Sequence, residues 1–278
     1  MSKIRATCPV FRVLIIGRAN AGKTTILQKV CNVDKDTEPV VYDADGNKVF
    51  SLSYCWRQRG RHDITNQITY SGSRFIFHDS RGIEAGSVNE FQTIHNFIRE
   101  RASRPSLAER LHAIWFCVSM DNMRPLVEAE LAFFNKDTAD VPVVVVFTKY
   151  DALLDRVAND LDIIEMTEQS QADVDKAAEA RYQEHYCSRI MKTVNPPKAT
   201  VRLQRMDKAE TQCPELSEQT AVAIDDLSLR QLFVYVQQNN IHLCMQEAAR
   251  QVHVLSHIWF LSVNSDLECQ HNQIVYPQ

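Results

Sequence analysis

One stretch decides the fold: the apolar run Phe11-Arg-Val-Leu-Ile-Ile16, followed directly by the glycine-rich Gly17-Arg-Ala-Asn-Ala-Gly-Lys-Thr24. This order predicts a buried strand, a loop and a helix, because the apolar residues Ile26, Leu27 and Val30 follow at helical spacing. The glycines let the loop curl so that its N–H groups point at phosphate oxygens, and the helix adds the positive end of its dipole. The stretch therefore predicts a phosphate-binding loop.

The loop also indicates what each of its residues does for a nucleoside triphosphate. Lys23 would reach the β- and γ-phosphates, and the hydroxyl of Thr24 would bind Mg²⁺. The remaining contacts would come from the loop backbone and the first helical turn. The predicted phosphate-binding residues are Arg18, Ala19, Asn20, Ala21, Gly22, Lys23, Thr24 and Thr25.

A second motif follows a second predicted strand. Ser73-Arg-Phe-Ile-Phe-His78 is typical of a strand, and Asp79-Ser-Arg-Gly82 follows it. An acidic residue at the end of a strand beside the phosphate loop can hold Mg²⁺ through water, and a glycine N–H three residues later can bond the γ-phosphate. We therefore expect Asp79 near the metal and Gly82 near the γ-phosphate.

A third motif selects the base. Val141-Pro-Val-Val-Val-Val-Phe147 is typical of a central parallel strand that is buried on both faces, and Thr148-Lys-Tyr-Asp151 stands at its carboxyl end. A carboxylate there accepts two hydrogen bonds from guanine, which adenine cannot donate. We expect Thr148, Lys149 and Asp151 to bind guanine, with the stem of Lys149 on the ring face.

Together these three motifs resemble those of the small regulatory GTPase superfamily of P-loop proteins, with an Era-like or septin-like G domain. The resemblance covers about residues 8–250 and implies a doubly wound α/β fold with a mostly parallel sheet and helices on both faces. It also implies binding of GTP, GDP and Mg²⁺, and two switch segments that change shape on hydrolysis. More narrowly, Phe77–Gly82, His112–Cys117 and the segment after Asp151 resemble a group of fungal G-domain proteins.

Composition limits the partners. The chain has 278 residues, a net charge of −4 and eight cysteines without a C-x-x-C pair, which favours a reduced cytoplasmic protein. The charge argues against nucleic acid as the main partner. The termini carry no myristoylation or prenylation signal, so we expect no lipid anchor. Basic residues cluster at 57–61 and 99–110, where a solvated face is the simpler interpretation.

Domain organisation follows from the spacing of the motifs. We expect a G domain over residues 8–252, with a hairpin insert at about 38–55 and a helical insert at about 152–197. Residues 253–278 would form a tail with a short helix near 258–261. The helix of the second insert either packs on its own domain or binds a partner, because Val174, Ala178, Tyr182, Tyr186 and Ile190 form one apolar face.

The sequence departs from the Ras-like pattern at the catalytic water. Where a glutamine would follow Gly82, this chain has Ile83, which cannot hydrogen-bond water. Hydrolysis would then depend on Glu84, His62 or a partner, and it would be slow. Besides Thr24, a second threonine hydroxyl would bind Mg²⁺: that of Thr65, or that of Thr37 as the alternative.

The phosphate loop resembles those of Era-like and tRNA-modification GTPases at Asn20. In some of these proteins the equivalent asparagine coordinates K⁺ and the active form is a G-domain homodimer; otherwise Asn20 only stiffens the loop. We take Lys23, Asn20 and Gly82 as the catalytic candidates. The readings are a slow GTPase that acts as a switch on a protein effector, a nucleotide-dependent interaction module without hydrolysis, and a P-loop ATPase or kinase, which Thr148–Asp151 disfavours.

Overall fold

The computed structural model describes residues 8–49, 63–80, 88–121, 126–163 and 165–237, together with helical positions 245, 249 and 250. The chain divides into two compact units, Met1–Val236 and Gln237–Gln278, and the fold below is that of the first. In the ranges just given, no helix is both long and apolar enough to cross a membrane.

A seven-stranded sheet forms the centre of the first unit, in the order β2-β3-β4-β1-β5-β6-β7. The strands are β1 Phe11–Gly17, β2 Val40–Tyr42, β3 Gln67–Thr69, β4 Phe75–Asp79, β5 Ala113–Ser119, β6 Val143–Thr148 and β7 Ala199–Arg202. The helices are α1 Lys23–Val30, α2 Val88–Ala102, α3 Glu128–Phe133, α4 Tyr150–Asp160, α5 Glu168–Tyr182, α6 Ser188–Met191, α7 Pro214–Ala223 and α8 Leu227–Val236. A 3₁₀ turn spans Leu107–Glu109, and a π turn over Gln183–Cys187 joins α5 to α6.

Five strands are parallel, from β4 through β1, β5 and β6 to β7. Every residue of β1 and β6 is buried, which is why these strands are continuous apolar runs and not alternating ones. The parallel order places the carboxyl ends of β1, β4 and β6 at one edge of the sheet. The predicted α/β fold with a mostly parallel sheet is confirmed.

Helices cover both faces of the sheet, and alternate residues of β5 show it. Phe116 packs against Phe133 of α3, with ring centroids 5.0 Å apart. On the other face, the indole N–H of Trp115 donates to the hydroxyl of Thr220 in α7 at 3.1 Å. Successive side chains of a strand point to opposite faces, so one apolar strand supplies both cores.

The first insert begins as the predicted hairpin. One carboxylate oxygen of Asp43 accepts the backbone N–H groups of Asp45 and Asn47, and Gly46 adopts a φ of 83°. Tyr42 then bridges Lys48 in antiparallel fashion. The turn lies at Asp45-Gly46, and residues 50–55 of this insert lie outside the described residues.

The helical insert packs on its own domain. All five residues of its predicted apolar face are buried: Val174, Ala178, Tyr182, Tyr186 and Ile190. The ring of Tyr182 meets that of Phe147 in β6 edge-on, with centroids 4.9 Å apart. The π turn adds a residue to one turn of the helix, which keeps the later apolar side chains on the sheet side.

Candidate functional site

The glycine-rich loop leaves the sheet at Gly17, which pairs with Cys117 of β5. A Cβ on Gly17 would stand 2.6 Å from the carbonyl oxygen of Cys117, so glycine is required there by contact. Gly22 has a φ of 77° and Asn20 a φ of 63°, both left-handed conformations. These conformations bend the loop back to the start of α1, as the sequence motif predicts.

Lys23 lies across the mouth of this loop. Its ammonium donates to the carbonyl oxygens of Gly17 and Arg18 at 3.0 and 3.2 Å. It also lies 3.8 Å from a carboxylate oxygen of Asp79. The two side chains are 11% and 10% exposed, so the pair is screened little by solvent.

Asp79 has the properties of a cation ligand. The carboxylate oxygen nearest Lys23 is buried and accepts no hydrogen bond from the described residues. Burial raises the pKa of Asp79 to about 6, and the charge of Lys23 offsets part of that rise. A buried carboxylate without a donor is costly, and Mg²⁺ prefers such hard oxygen ligands. With Thr24 in the first turn of α1, these residues fit the predicted magnesium site.

The residues predicted to bind guanine lie at the carboxyl end of β6. Asp151 accepts the backbone N–H of Arg205 at 2.9 Å, and the N–H of Tyr150 donates to the carbonyl of Leu203 at 3.0 Å. The loop after β7 is thereby held against the Thr148–Asp151 motif. The loop after β7 therefore lies beside the residues predicted to bind guanine.

Lys149 of this motif has a partner that the sequence did not indicate. Lys149 has a left-handed φ of 55° and forms an ion pair with Asp121 just after β5. Thr148 is 3% exposed, and a Cβ on Gly22 would lie 3.9 Å from its Cβ, so its side chain faces the phosphate loop. The segment predicted to bind the base and the phosphate loop are therefore direct neighbours.

Thr65 lies two residues before β3, on the side where β4 ends, because β3 and β4 are antiparallel. Its hydroxyl donates to a carboxylate oxygen of Asp63 at 2.8 Å. Its role as a metal ligand stays a prediction. Gly82, Ile83, Glu84 and His62 lie outside the described residues, and their roles stay predictions as well.

A buried ion pair behind the loop was missed from the sequence. Arg18 donates to Glu130 of α3 at 2.7 Å, and Glu130 is 2% exposed. The same carboxylate oxygen accepts the N–H of Val127 at 3.1 Å. Glu130 lies four residues after Leu126 and four before Phe134, so helical spacing already placed it on the buried face. That spacing was the available signal that this acid needs a partner.

Comparison with known proteins agrees with this geometry. Residues 12–149 match the model of a family described as 50S ribosome-binding GTPase. The GTPase Der of Deinococcus deserti is 27% identical over 146 residues, which are 52% of this chain and 28% of that protein. The chain thus spans well under half of that relative's length. These similarities support a P-loop GTPase and GTP binding.

Proposed function

We propose that this chain is a P-loop GTPase that binds Mg²⁺-GTP, hydrolyses it slowly to GDP and phosphate, and acts as a conformational switch. The observation that carries this proposal is the meeting of Lys23 and Asp79 at the mouth of the loop. An ammonium group that can bind phosphate and a carboxylate that can bind Mg²⁺ thus lie side by side, which supports a site for a magnesium-bound triphosphate.

At the phosphate end, the chain supplies positive charge and N–H donors. The ammonium of Lys23, which now donates to two backbone carbonyls, would exchange them for phosphate oxygens, so that its hydrogen bonds are kept. Asp79 and Thr24 would hold Mg²⁺, which neutralises charge between the β- and γ-phosphates. The backbone of residues 18–25 and the N-terminus of α1 would complete the cradle.

At the base end, the chain selects guanine. One carboxylate oxygen of Asp151 already accepts the N–H of Arg205, which fixes the orientation of the carboxylate. Its remaining lone pairs would accept the N1–H and 2-amino groups of guanine, and adenine would leave them unpaired. This difference supports GTP over ATP.

Slow turnover follows from Ile83, which occupies the place of the glutamine that positions water in Ras-like enzymes. Glu84, His62 or a partner would take over that role. Asn20 lies in the bent part of the loop. We propose that it holds K⁺ there when two G domains meet, so that the active form is a homodimer.

Phosphate release from GTP tests these statements together. We expect specific activity to rise with protein concentration in KCl and to be lower in NaCl at equal ionic strength. Lys23→Ala is the control for contaminating activity, because it removes the phosphate contact itself. Equal rates in the two salts at all protein concentrations would remove the K⁺ and homodimer parts of the proposal.

A second function is favoured by the same Ile83: a nucleotide-dependent interaction module that binds GTP and does not turn it over. It would act in the cytoplasm on a protein effector. Multiple-turnover phosphate release separates the two functions. GTP binding together with release no faster than that of Lys23→Ala would support the interaction module.

A further inference from the structure

A further pocket lies between β3 and α2, and Thr65 is the one candidate site residue in its described lining. It has a volume of about 290 Å³. Its lining contains three arginines and two glutamates beside polar and aromatic side chains: Arg12, Arg101, Arg104, Glu100, Glu109 and Thr65 among them. Two of these arginines belong to the basic run at 99–110, which the nucleotide site does not use.

Arg12 is the buried cation of this pocket, with 5% of its surface exposed. Its guanidinium donates only to neutral acceptors: the carbonyl of Ala108 at 3.3 and 3.1 Å, the side-chain oxygen of Gln67 at 3.2 Å, and Nε2 of His78 at 2.9 Å. The other ring nitrogen of His78 donates to the carbonyl of Ile64, so this histidine is neutral. Among the described residues, no carboxylate lies within 4 Å of the Arg12 guanidinium.

The other two arginines also keep free donor capacity. The guanidinium of Arg101 lies 5.5 Å above the ring of Phe97, and no carboxylate of the described residues lies within 4 Å of it. Arg104 pairs with Glu100 through one terminal nitrogen, while its Nε is buried and without a partner in the described part of the chain. Glu109 lines the same pocket but is exposed and makes no ion pair there.

Three arginines and two glutamates line this cavity, and the only ion pair among them in the described residues joins Arg104 to Glu100. The lining therefore carries one positive charge more than its carboxylates can neutralise, which favours an anion because a buried charge is costly unless it is paired. We propose that this pocket binds an oxyanion, a phosphate or a carboxylate group, between Arg101 and Arg104 and above Arg12. The planar guanidinium fork matches the two oxygens of either group, and a volume of about 290 Å³ has room for it.

Inorganic phosphate tests the pocket in the full-length chain, with the Lys23→Ala substitution as the background so that the phosphate loop contributes little. The dissociation constant comes from the rise in melting temperature with phosphate concentration, at ionic strength held constant with KCl. We expect saturable binding that Arg101→Gln weakens by at least about tenfold, since it removes a charge-assisted bidentate contact.

Arg99→Gln is the matched control, because Arg99 is exposed on the same helix and does not line the pocket. It should change the affinity by no more than about twofold through general screening. Equal weakening by both substitutions, or no saturable binding, would overturn the proposal. Acetate tests the carboxylate form: if it competes with phosphate, the pocket takes both oxyanions, and if it does not, the ligand is a phosphate group.

Discussion

At the scale of single residues, the site depends on positions where one residue type is required for a stated reason. Gly17 is required because β1 and β5 approach too closely for a side chain. Asp151 accepts the N–H of Arg205, and in the proposed site the same carboxylate would also accept what guanine donates. Both residues were selected from the sequence motif, and the structure supplies the contact that explains them.

Gly17→Ala should destabilise the domain by about 3 kcal/mol, because the added methyl group meets backbone atoms that cannot rotate away. Urea unfolding followed by circular dichroism measures this loss. Gly46→Ala is the control: nothing lies within 4 Å of its Cβ, and only its φ of 83° is unfavourable, so it should cost about 1 kcal/mol. Equal losses for both variants would contradict the contact argument.

Asp151→Asn should weaken GTP binding by about 10- to 100-fold, because a charged acceptor of two hydrogen bonds is lost, and it should lessen the preference for GTP over ATP. Competition of GTP and ATP for a fluorescent GDP analogue gives both affinities. Asp155→Asn, one turn later in α4 and exposed, should leave them unchanged. Full GTP preference in Asp151→Asn would rule out this residue as the base selector.

At the scale of elements, the helical segment from α5 to α6 is part of the domain core and not a free docking helix. Its buried face lies on β6 and continues through the π turn without a break. The ring of Tyr182 contacts Phe147 on one side, and the guanidinium of Arg202 lies 4.8 Å from its centroid. The segment therefore supports the strand that ends in the base-recognition motif.

Tyr182→Ala should reduce the free energy of unfolding by about 3–5 kcal/mol, the usual cost of removing a large buried aromatic ring. It should also weaken guanine nucleotide binding, because β6 loses its support below Thr148. Glu184→Ala, exposed two residues later, is the control and should change stability by less than about 0.5 kcal/mol. A thermal melt of both variants decides, and a Tyr182→Ala protein as stable as wild type would mean that this segment is not core.

At the scale of the whole molecule, three buried histidines link stability to pH. Burial lowers the pKa of His78 to about 3 and those of His95 and His112 to about 4. An unfolded histidine titrates near 6.5, so the unfolded chain binds more protons than the native one below that pH. Stability contributed by these residues is present above pH 6.5 and is lost as the pH falls toward 4.

His112→Asn isolates one of these groups. The Nδ1 atom of His112 accepts the N–H of Arg12 at 2.9 Å, an acceptor that an asparagine oxygen can replace, and Arg12 and Arg110 both oppose its protonation. The variant should lose about 2–3 kcal/mol less stability than wild type between pH 6.5 and 4. Urea unfolding at a series of pH values measures this difference, and parallel pH curves would show that His112 does not titrate on unfolding.

The sequence alone determined the elements whose signals are local. The phosphate loop and the buried strands β1, β4 and β6 follow from residue order, since loop conformation and strand burial depend on neighbouring residues. The apolar face of α5 was readable for the same reason. The strand β3 could not be predicted in this way, because its three residues are too few to show an alternating pattern.

Only the tertiary structure showed which residues that are distant in sequence lie next to each other. Arg18 and Glu130 are separated by 112 residues, and Lys149 and Asp121 by 28, yet each forms an ion pair beside the candidate site. The pocket with Arg12 and Arg101 likewise joins a strand to a later helix. A partner across such distances depends on how the strands are ordered in the sheet, and local sequence patterns carry no information about that order.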